Sequence, residues 1–442
     1  MTATARLRLT TPESLTTATS PDQSSSLAWQ QFHGRLGQQA SWYSDIPETW
    51  LGLGPHPTPG DVHRALTRAS LPGEGIVEVD IAALLSVSWS RDEAISLVTS
   101  ALSARGLDPR WESGDEAAAS RGRVHAAATR TAQAWTNATA ADLPPEQLAR
   151  EAVTALDDCE VRVLGPQELA DGGFGAILAV GAGSAHGPRL VDAVYRPQQA
   201  ARARVCLVGK GVTFDTGGLS LKSPAAMAGM RMDKAGAAIV LSVLAAVRDL
   251  RLPIELRALA PLAENMIGPS ATRPGDIATA WDGTRIRIMD TDFEGRVLMA
   301  DALALGSSDS PDIIIDVATL TYQVAIGLGN DVGGFFSSDE VLSERLVNAS
   351  ASAGEPLWRL PLVQSYLDQV ITADGVKNHP ESDVGRAITA ALFLQHFVRP
   401  GVAWAHLDLT GPAWRGPASA DGATGFGVRT LITLMEGLAA SR

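Results

Sequence analysis

Cysteine is almost missing from this chain: its 442 residues hold two, Cys159 and Cys206. Both lie in apolar, strand-like runs. No disulfide framework is expected, and a reducing cytoplasm suits them. Aromatic residues are also scarce, at 5%, while glycine is abundant, at 42 residues. Closely packed α/β layers are the expected interior. Positive charge is in deficit, with 36 Lys and Arg against 49 Asp and Glu and a net charge of −13. That balance argues against nucleic-acid phosphates as a partner. No apolar run approaches the ~20 residues of a membrane span. Met1 to Leu15 has no apolar core of signal-peptide length. A cytoplasmic protein without a membrane partner is expected.

The length is too great for one compact core, so two domains are expected. Residues 1–28 are rich in Thr, Ser and Pro and read as a loose tail. Residues 29–140 mix short apolar runs with helix-like stretches, such as a strand at Gly75–Ile81 and a helix at Arg91–Arg105. Asp142, Pro144 and Pro145 are start signals for a helix over Glu146–Leu156. From there to residue 442 strands alternate with helices. Strands are expected at 160–164, 176–180, 190–195, 204–208, 254–258, 284–289, 313–317, 332–337 and 402–409, and a long apolar helix at Ala235–Asp249. The pattern predicts an α/β protein with a mixed, mostly parallel sheet flanked by helices.

Asp290-Thr291-Asp292-Phe293-Glu294-Gly295-Arg296 packs three carboxylates and an arginine into seven residues, after an alternating run. Acids this close repel and need positive charge, which divalent ions commonly supply. Taken alone, the segment is either a solvated acidic loop or part of a metal site. A second cluster follows the strand at 204–208: Gly209-Lys210-Gly211-Val212-Thr213-Phe214-Asp215, then Thr216-Gly217-Gly218-Leu219-Ser220-Leu221-Lys222. Its glycines permit tight turns and close approach to a ligand. The order Gly-x-x-x-x-Gly-Lys-Ser/Thr is missing, so this is not a phosphate-gripping P-loop. Asp233 stands just before the helix at 235. Together Lys210, Asp215, Lys222, Asp233, Asp292, Glu294 and Arg296 could surround two divalent ions about 3.5–4 Å apart. They could equally form a salt-bridge network between two loops. Oxygen and lysine ligands admit Zn²⁺, Mn²⁺, Mg²⁺ and Co²⁺.

These two segments resemble the signature segments of the leucyl aminopeptidases, and the spacings from Lys210 through Arg296 agree with that family. Asp316–Thr321, Ala387–Leu394, Trp404–Asp408 and Gly422–Thr430 resemble further family segments. The resemblance covers roughly residues 125–440; the N-terminal third is similar only in its place. It implies a small N-terminal α/β domain, a catalytic domain over 141–442, and a homo-hexamer. It implies that Lys210, Asp215, Asp233 and Glu294 hold a tighter metal, and that Asp215, Asp292 and Glu294 hold an exchangeable one. Lys222 would stabilise the gem-diolate, and Arg296 would hold a bicarbonate general base. Met230, Thr319, Leu320 and Tyr322 would line the substrate pocket. The implied reaction releases the N-terminal residue of a peptide or aminoacyl amide through a metal-bridging hydroxide.

Four positions depart from the family. Asp290 stands where Asn is usual, and would either affect the metals or face a local partner such as Arg287. Phe293 replaces a small residue. Tyr322 replaces Gly, which would make the first pocket smaller or more polar, or would leave it unchanged if the ring points away. Arg386 replaces a small residue beside the pocket wall. Two alternatives to peptide turnover stay open. One is a specialised metallohydrolase acting on a modified aminoacyl amide in a biosynthetic pathway. The other is a non-catalytic structural or DNA-binding role. His125, His186, His379 and His406 lack metal-ligand spacing and are read as structural or solvated.

Overall fold

Apolar and polar residues alternate over Ala5–Thr10, and the segment forms a strand whose Leu7 and Leu9 are buried. In the computed structural model, which describes residues 5–18, 23, 26–27, 30–42, 46–72, 74–87, 89–111, 114–416 and 422–441, this strand is the middle of a sheet. The expected loose tail over residues 1–28 is therefore corrected at the strand Ala5–Thr10 and the helix Pro12–Ala18, while residues 1–4 lie outside the described residues. Composition suggested disorder there, but period-two burial of Leu7 and Leu9 decides the strand. The sheet runs Gln39–Trp42, Glu48–Gly52, Ala5–Thr10, Gly75–Asp80, Leu107–Arg110. The helices Pro59–Arg68 and Arg91–Ser103 contribute Val62, Leu66, Ile95 and Val98 to its core. The chain divides into two compact units, Met1–Arg130 with Ser350–Glu355, and Thr131–Ala349 with Pro356–Arg442.

The larger unit is built on a second sheet. Its centre is four parallel strands in the order Ala403–Asp408, Ile313–Ala318, Ala203–Gly209, Ile254–Asn265. Antiparallel strands Gly333–Ser337 and Arg189–Tyr195 extend it on the two sides. Most residues of the central strands are buried, as expected where helices cover both faces of a sheet. The helices Ala235–Asp249 and Glu294–Ser308 both pack on Ala203–Gly209 and Ile254–Asn265. The expected mixed, mostly parallel α/β architecture is what the chain adopts.

Two expected strands are corrected. Gly175–Gly181 is a helix, not a strand. An apolar run this short carries no period of its own, and its environment decides. Here the buried carboxylate of Asp301 accepts the Ile177 N–H at 2.8 Å. The run at 284–289 is a strand only over Arg285–Arg287, and it belongs to a separate sheet with Ile277–Thr279, Gly375–Lys377 and Ile371–Thr372. It ends early because Met289 N–H turns to the side chain of Asn378, at 2.8 Å.

Close approach of backbone fixes the main sheet to its first helix. A Cβ at Gly236 would lie 2.2 Å from Val317 O and 2.7 Å from Lys210 N. Gly236→Ala is expected to destabilise the protein by about 1–3 kcal/mol, the usual cost of overpacking. Urea unfolding checks this; an unchanged midpoint would mean that the helix shifts freely. Among the described residues, no helix is long and apolar enough to cross a membrane.

Candidate metal centre

The C-terminal ends of the parallel strands converge on one cleft, the place where α/β sheets build sites. Lys210 follows Ala203–Gly209, Thr319 follows Ile313–Ala318, and Asp408 ends its own strand. Past Ala203–Gly209, the strand Ile254–Asn265 pairs with Gly211–Asp215, which sets Asp215 opposite Asn265. The side chain of Asn265 donates to Asp215 Oδ1 at 2.8 Å and to Thr291 O at 3.0 Å. Thr291 in turn donates to Gly217 O at 2.6 Å. These bonds stitch the two acidic loops together. Gly217 turns with φ +84, and a Cβ there would meet Asp292 Oδ1 at 2.9 Å. Asp233 sits on the short turn Met230–Lys234, and Glu294 opens the helix Glu294–Ser308.

The seven expected residues do come together around a cleft of about 510 Å³. One oxygen from each of Asp215, Asp292 and Glu294 lies within 4.8 Å of the others. Lys210 Nζ stands 2.8 Å from Asp233 and 2.9 Å from Glu294. Lys222 Nζ stands 2.8 Å from Asp215 and also pairs with Asp292. Four carboxyl groups thus face two ammonium groups, so acids outnumber the lysines by two. Burial and then neighbouring carboxylates raise the pKa of Asp292 to about 7. For Asp233, burial and then Glu294 and Asp215, against the pull of Lys210, raise it to about 8. Glu294 is raised by burial and by Asp215. Burial opposes the charge of Lys210 and Lys222, but the carboxylates outweigh it and both lysines are raised.

This donor set fits divalent cations. Glu294 Oε2 is buried without a hydrogen-bond partner, an acceptor left free beside the cluster. Oxygen donors in excess of local positive charge are what hard cations take. A bound cation would also reverse the sign of the lysine shifts and allow Lys210 to ligate as an amine.

The expected pocket residues Met230, Thr319, Leu320 and Tyr322 line the same cleft. Asp408 holds that wall by accepting from Leu320 N, at 3.2 Å, and Thr321 N, at 2.9 Å. Thr319 Oγ1 donates to Asp233 Oδ1 at 2.7 Å. Tyr322 stands at the rim, 71% exposed, and does not fill the pocket. Asp290 neither pairs with Arg287 nor joins the metal cluster; its Oδ1 accepts the Asp292 N–H at 2.9 Å. His406 is buried against Asp316 at 2.5 Å.

Sequence reasoning missed Asn378. Its buried amide accepts from Met289 N and donates to Asp290 O at 2.6 Å and Phe293 O at 3.4 Å. It therefore clamps the loop that carries Asp292 and Glu294. No local signal marks it, because its partners are about ninety residues earlier.

The architecture and this buried carboxylate and lysine cluster define a metal-dependent hydrolase of the α/β class. The family model described as "Cytosol aminopeptidase family, catalytic domain" matches residues 130–432. The chain belongs to the cytosol aminopeptidase family, and it is a metal-dependent aminopeptidase. The resemblance to leucyl aminopeptidases is thereby borne out. The "Probable cytosol aminopeptidase" of Roseiflexus castenholzii is 41% identical over 400 residues, covering 86% of this chain and 77% of that one. That of Cutibacterium acnes is 40% identical over 357 residues, covering 79% and 68%. Among solved structures, the "Bottromycin maturation enzyme BotP" superposes with TM-score 0.89 at 32% identity over 100% of both chains, and it has also been solved in complex with Mn. The cytosol aminopeptidase of Coxiella burnetii gives 0.86 at 28%, covering 99% of this chain and 98% of that one.

Proposed function

We propose that the cleft releases the N-terminal residue of peptides and aminoacyl amides by two-metal hydrolysis. The observation that carries this reading is the buried excess of carboxyl groups over ammonium groups around the expected ligand set. Lys210, Asp215, Asp233, Asp292 and Glu294 would hold two divalent ions, Mn²⁺ or Zn²⁺, with Mg²⁺ and Co²⁺ also suited to such donors. Ions bound there supply Lewis acidity, which lowers the pKa of an attacking water and polarises the scissile carbonyl. The Mn complex of BotP favours Mn²⁺.

The two lysines take different parts. The Lys210 side chain is 4% exposed and the Lys222 side chain 14%. Lys222 is thus the one that meets a substrate carbonyl, and its ammonium stabilises the oxyanion that develops there. Arg296 would hold a bicarbonate ion as general base. Its Nε and Nη1 are buried without partners and suit an anion. Met230, Thr319, Leu320 and Tyr322 would contact the first side chain of the substrate. The free α-amine would confine cutting to the N-terminus, since its lone pair can ligate an ion whereas that of an amide nitrogen is delocalised into the carbonyl. A cytoplasmic location and a hexamer complete the reading, on the strength of the family resemblance.

A second reading, a specialised metallohydrolase acting on a modified aminoacyl amide in a biosynthetic pathway, is favoured by the full-length match to the "Bottromycin maturation enzyme BotP" and by Phe293, Tyr322 and Arg386 at the cleft. A panel of Leu, Ala, Gly and charged aminoacyl p-nitroanilides, dipeptides, their N-acetylated forms, and peptides with a modified first side chain and a free amine separates the possibilities. Free-amine substrates should be cut with Mn²⁺ or Zn²⁺, acetylated ones should not, and chelation should stop the reaction. Absence of cleavage on every free-amine substrate would overturn both readings. Strong cleavage of modified peptides with weak cleavage of simple amides would select the second.

A further inference from the structure

Thr319 follows the strand Ile313–Ala318 and is buried. Its two polar groups have different partners. The hydroxyl donates to Asp233 Oδ1 at 2.7 Å, and the main-chain carbonyl accepts from Lys210 Nζ at 3.3 Å. One residue thus touches two of the expected metal ligands. The other oxygen of Asp233, Oδ2, is buried and accepts no directed hydrogen bond. The Lys210 ammonium stands beside it at 2.8 Å as an ion pair. A hydroxyl that engages Oδ1 fixes the carboxylate and leaves Oδ2, on the Lys210 side, with its lone pairs free for a cation. The lysine is confined as well. A Cβ at Gly295 would lie 2.5 Å from Lys210 Nζ and 2.9 Å from Leu320 Cδ1. Lys210 therefore passes between the backbone of Gly295 and the Thr319 carbonyl.

These bonds act on one half of the centre. Lys210 pairs with Asp233 and Glu294, whereas Lys222 pairs with Asp215 and Asp292. Asp215, Asp292 and Glu294 bring three oxygens close together, and Asp233 stands outside that group. Thr319 is bonded to the Asp233 and Lys210 side. It also begins the cleft wall. The next two residues are fastened by Asp408, which accepts from Leu320 N, from Thr321 N and from Thr321 Oγ1 at 2.5 Å. The wall that would meet the substrate is thereby placed in register with a metal ligand. We propose that Thr319 is a positioning residue of the metal centre. Its hydroxyl orients Asp233 and its carbonyl directs Lys210, so that one of the two ions is held through it. This rests on the metal-dependent reading of the cleft and gives Thr319 a role besides lining the substrate pocket. Groups that orient a metal ligand are typically worth about 10–100-fold in affinity.

Calorimetric titration of the metal-stripped protein with Mn²⁺, with no substrate present, tests it. The wild type should show two binding steps. Thr319→Val keeps the size of the side chain and removes the hydroxyl. It should weaken one step by about 10–100-fold and leave the other in place. Thr319→Ser retains a hydroxyl and should recover most of the loss. Thr321→Val makes the same change two residues on, where the hydroxyl serves Asp408, and should leave both steps unchanged. Thermal melting of the metal-free proteins shows which variants are folded, and Thr319→Ala answers the same question if Thr319→Val does not fold. Two unchanged steps in a folded variant without the hydroxyl would overturn the proposal. So would a Thr319→Ser that binds as poorly as Thr319→Val. An equal weakening of both steps, or the same loss in Thr321→Val, would also overturn it and assign the effect to the wall as a whole. If the wild type binds no divalent ion, the metal-dependent reading is what has failed.

Discussion

Asp292→Ala is expected to lose its metal and nearly all activity while staying folded. Asp292 contributes one of three carboxylate oxygens that lie within 4.8 Å of one another. Even residues that only support a metal ligand are worth 10–100-fold in affinity, so loss of a ligand should cost about a hundredfold or more. Elemental analysis of metal content, beside kcat/KM on an aminoacyl amide, checks the point; full metal occupancy and activity in the variant would refute the assignment. Stability should move the other way in metal-free protein. The folded pKa of Asp292 is about 7 against an ordinary 3.8. Between those values the folded state binds more protons than the unfolded chain. Metal-free wild type should therefore lose stability as pH rises from about 4 to about 7, with the full penalty remaining above that. Asp292→Ala removes this group's share, so its pH dependence should be shallower. Urea melts at pH 5 and 8 in the presence of chelator would measure the difference.

Lys222→Ala is expected to keep its metal and lose turnover. The ammonium lies among Asp215 and Asp292 on the more open side of the cluster. Removing one preorganised donor to a developing oxyanion typically costs about 10²–10³ in kcat. KM should change little, because the interaction strengthens only as charge develops. Lys222→Arg should not rescue, since a planar fork cannot replace a compact point charge. Steady-state kinetics and metal analysis on the same preparations decide this. A variant with full kcat would remove Lys222 from the chemistry, and one that loses both metal and turnover would make it structural.

Much of the site was legible because its residues fall in two short segments. Lys210, Asp215 and Lys222 share one glycine-rich loop, and Asp292, Glu294 and Arg296 share another. Local spacing then carries the information. The helix Ala235–Asp249 was legible for a similar reason, with fifteen residues and no competing turn signal. Short apolar runs were not. Gly175–Gly181 became a helix in a setting where Asp301, more than a hundred residues away, accepts an N–H from its first turn. The strand Ala5–Thr10 was hidden by the polar composition around it, although its own alternation is clear.

Asn378 and Arg386 mark the limit of sequence reading. Asn378 binds a loop about ninety residues earlier in the chain, and only folding brings its amide to Asp290 O and Phe293 O. Arg386 was visible as a departure from the family, but its unused buried Nε, beside those of Arg296, was not. By itself the sequence determined the fold class, the residue types of the cleft and their grouping, since hydrophobic period and residue chemistry are local properties. The tertiary structure alone decided the excess of acids over lysines, the unequal exposure of Lys210 and Lys222, and the two arginines, Arg296 and Arg386, on one Phe293 ring. Those depend on burial and on contacts between distant segments, which exist only once the sheet has brought its strand ends together.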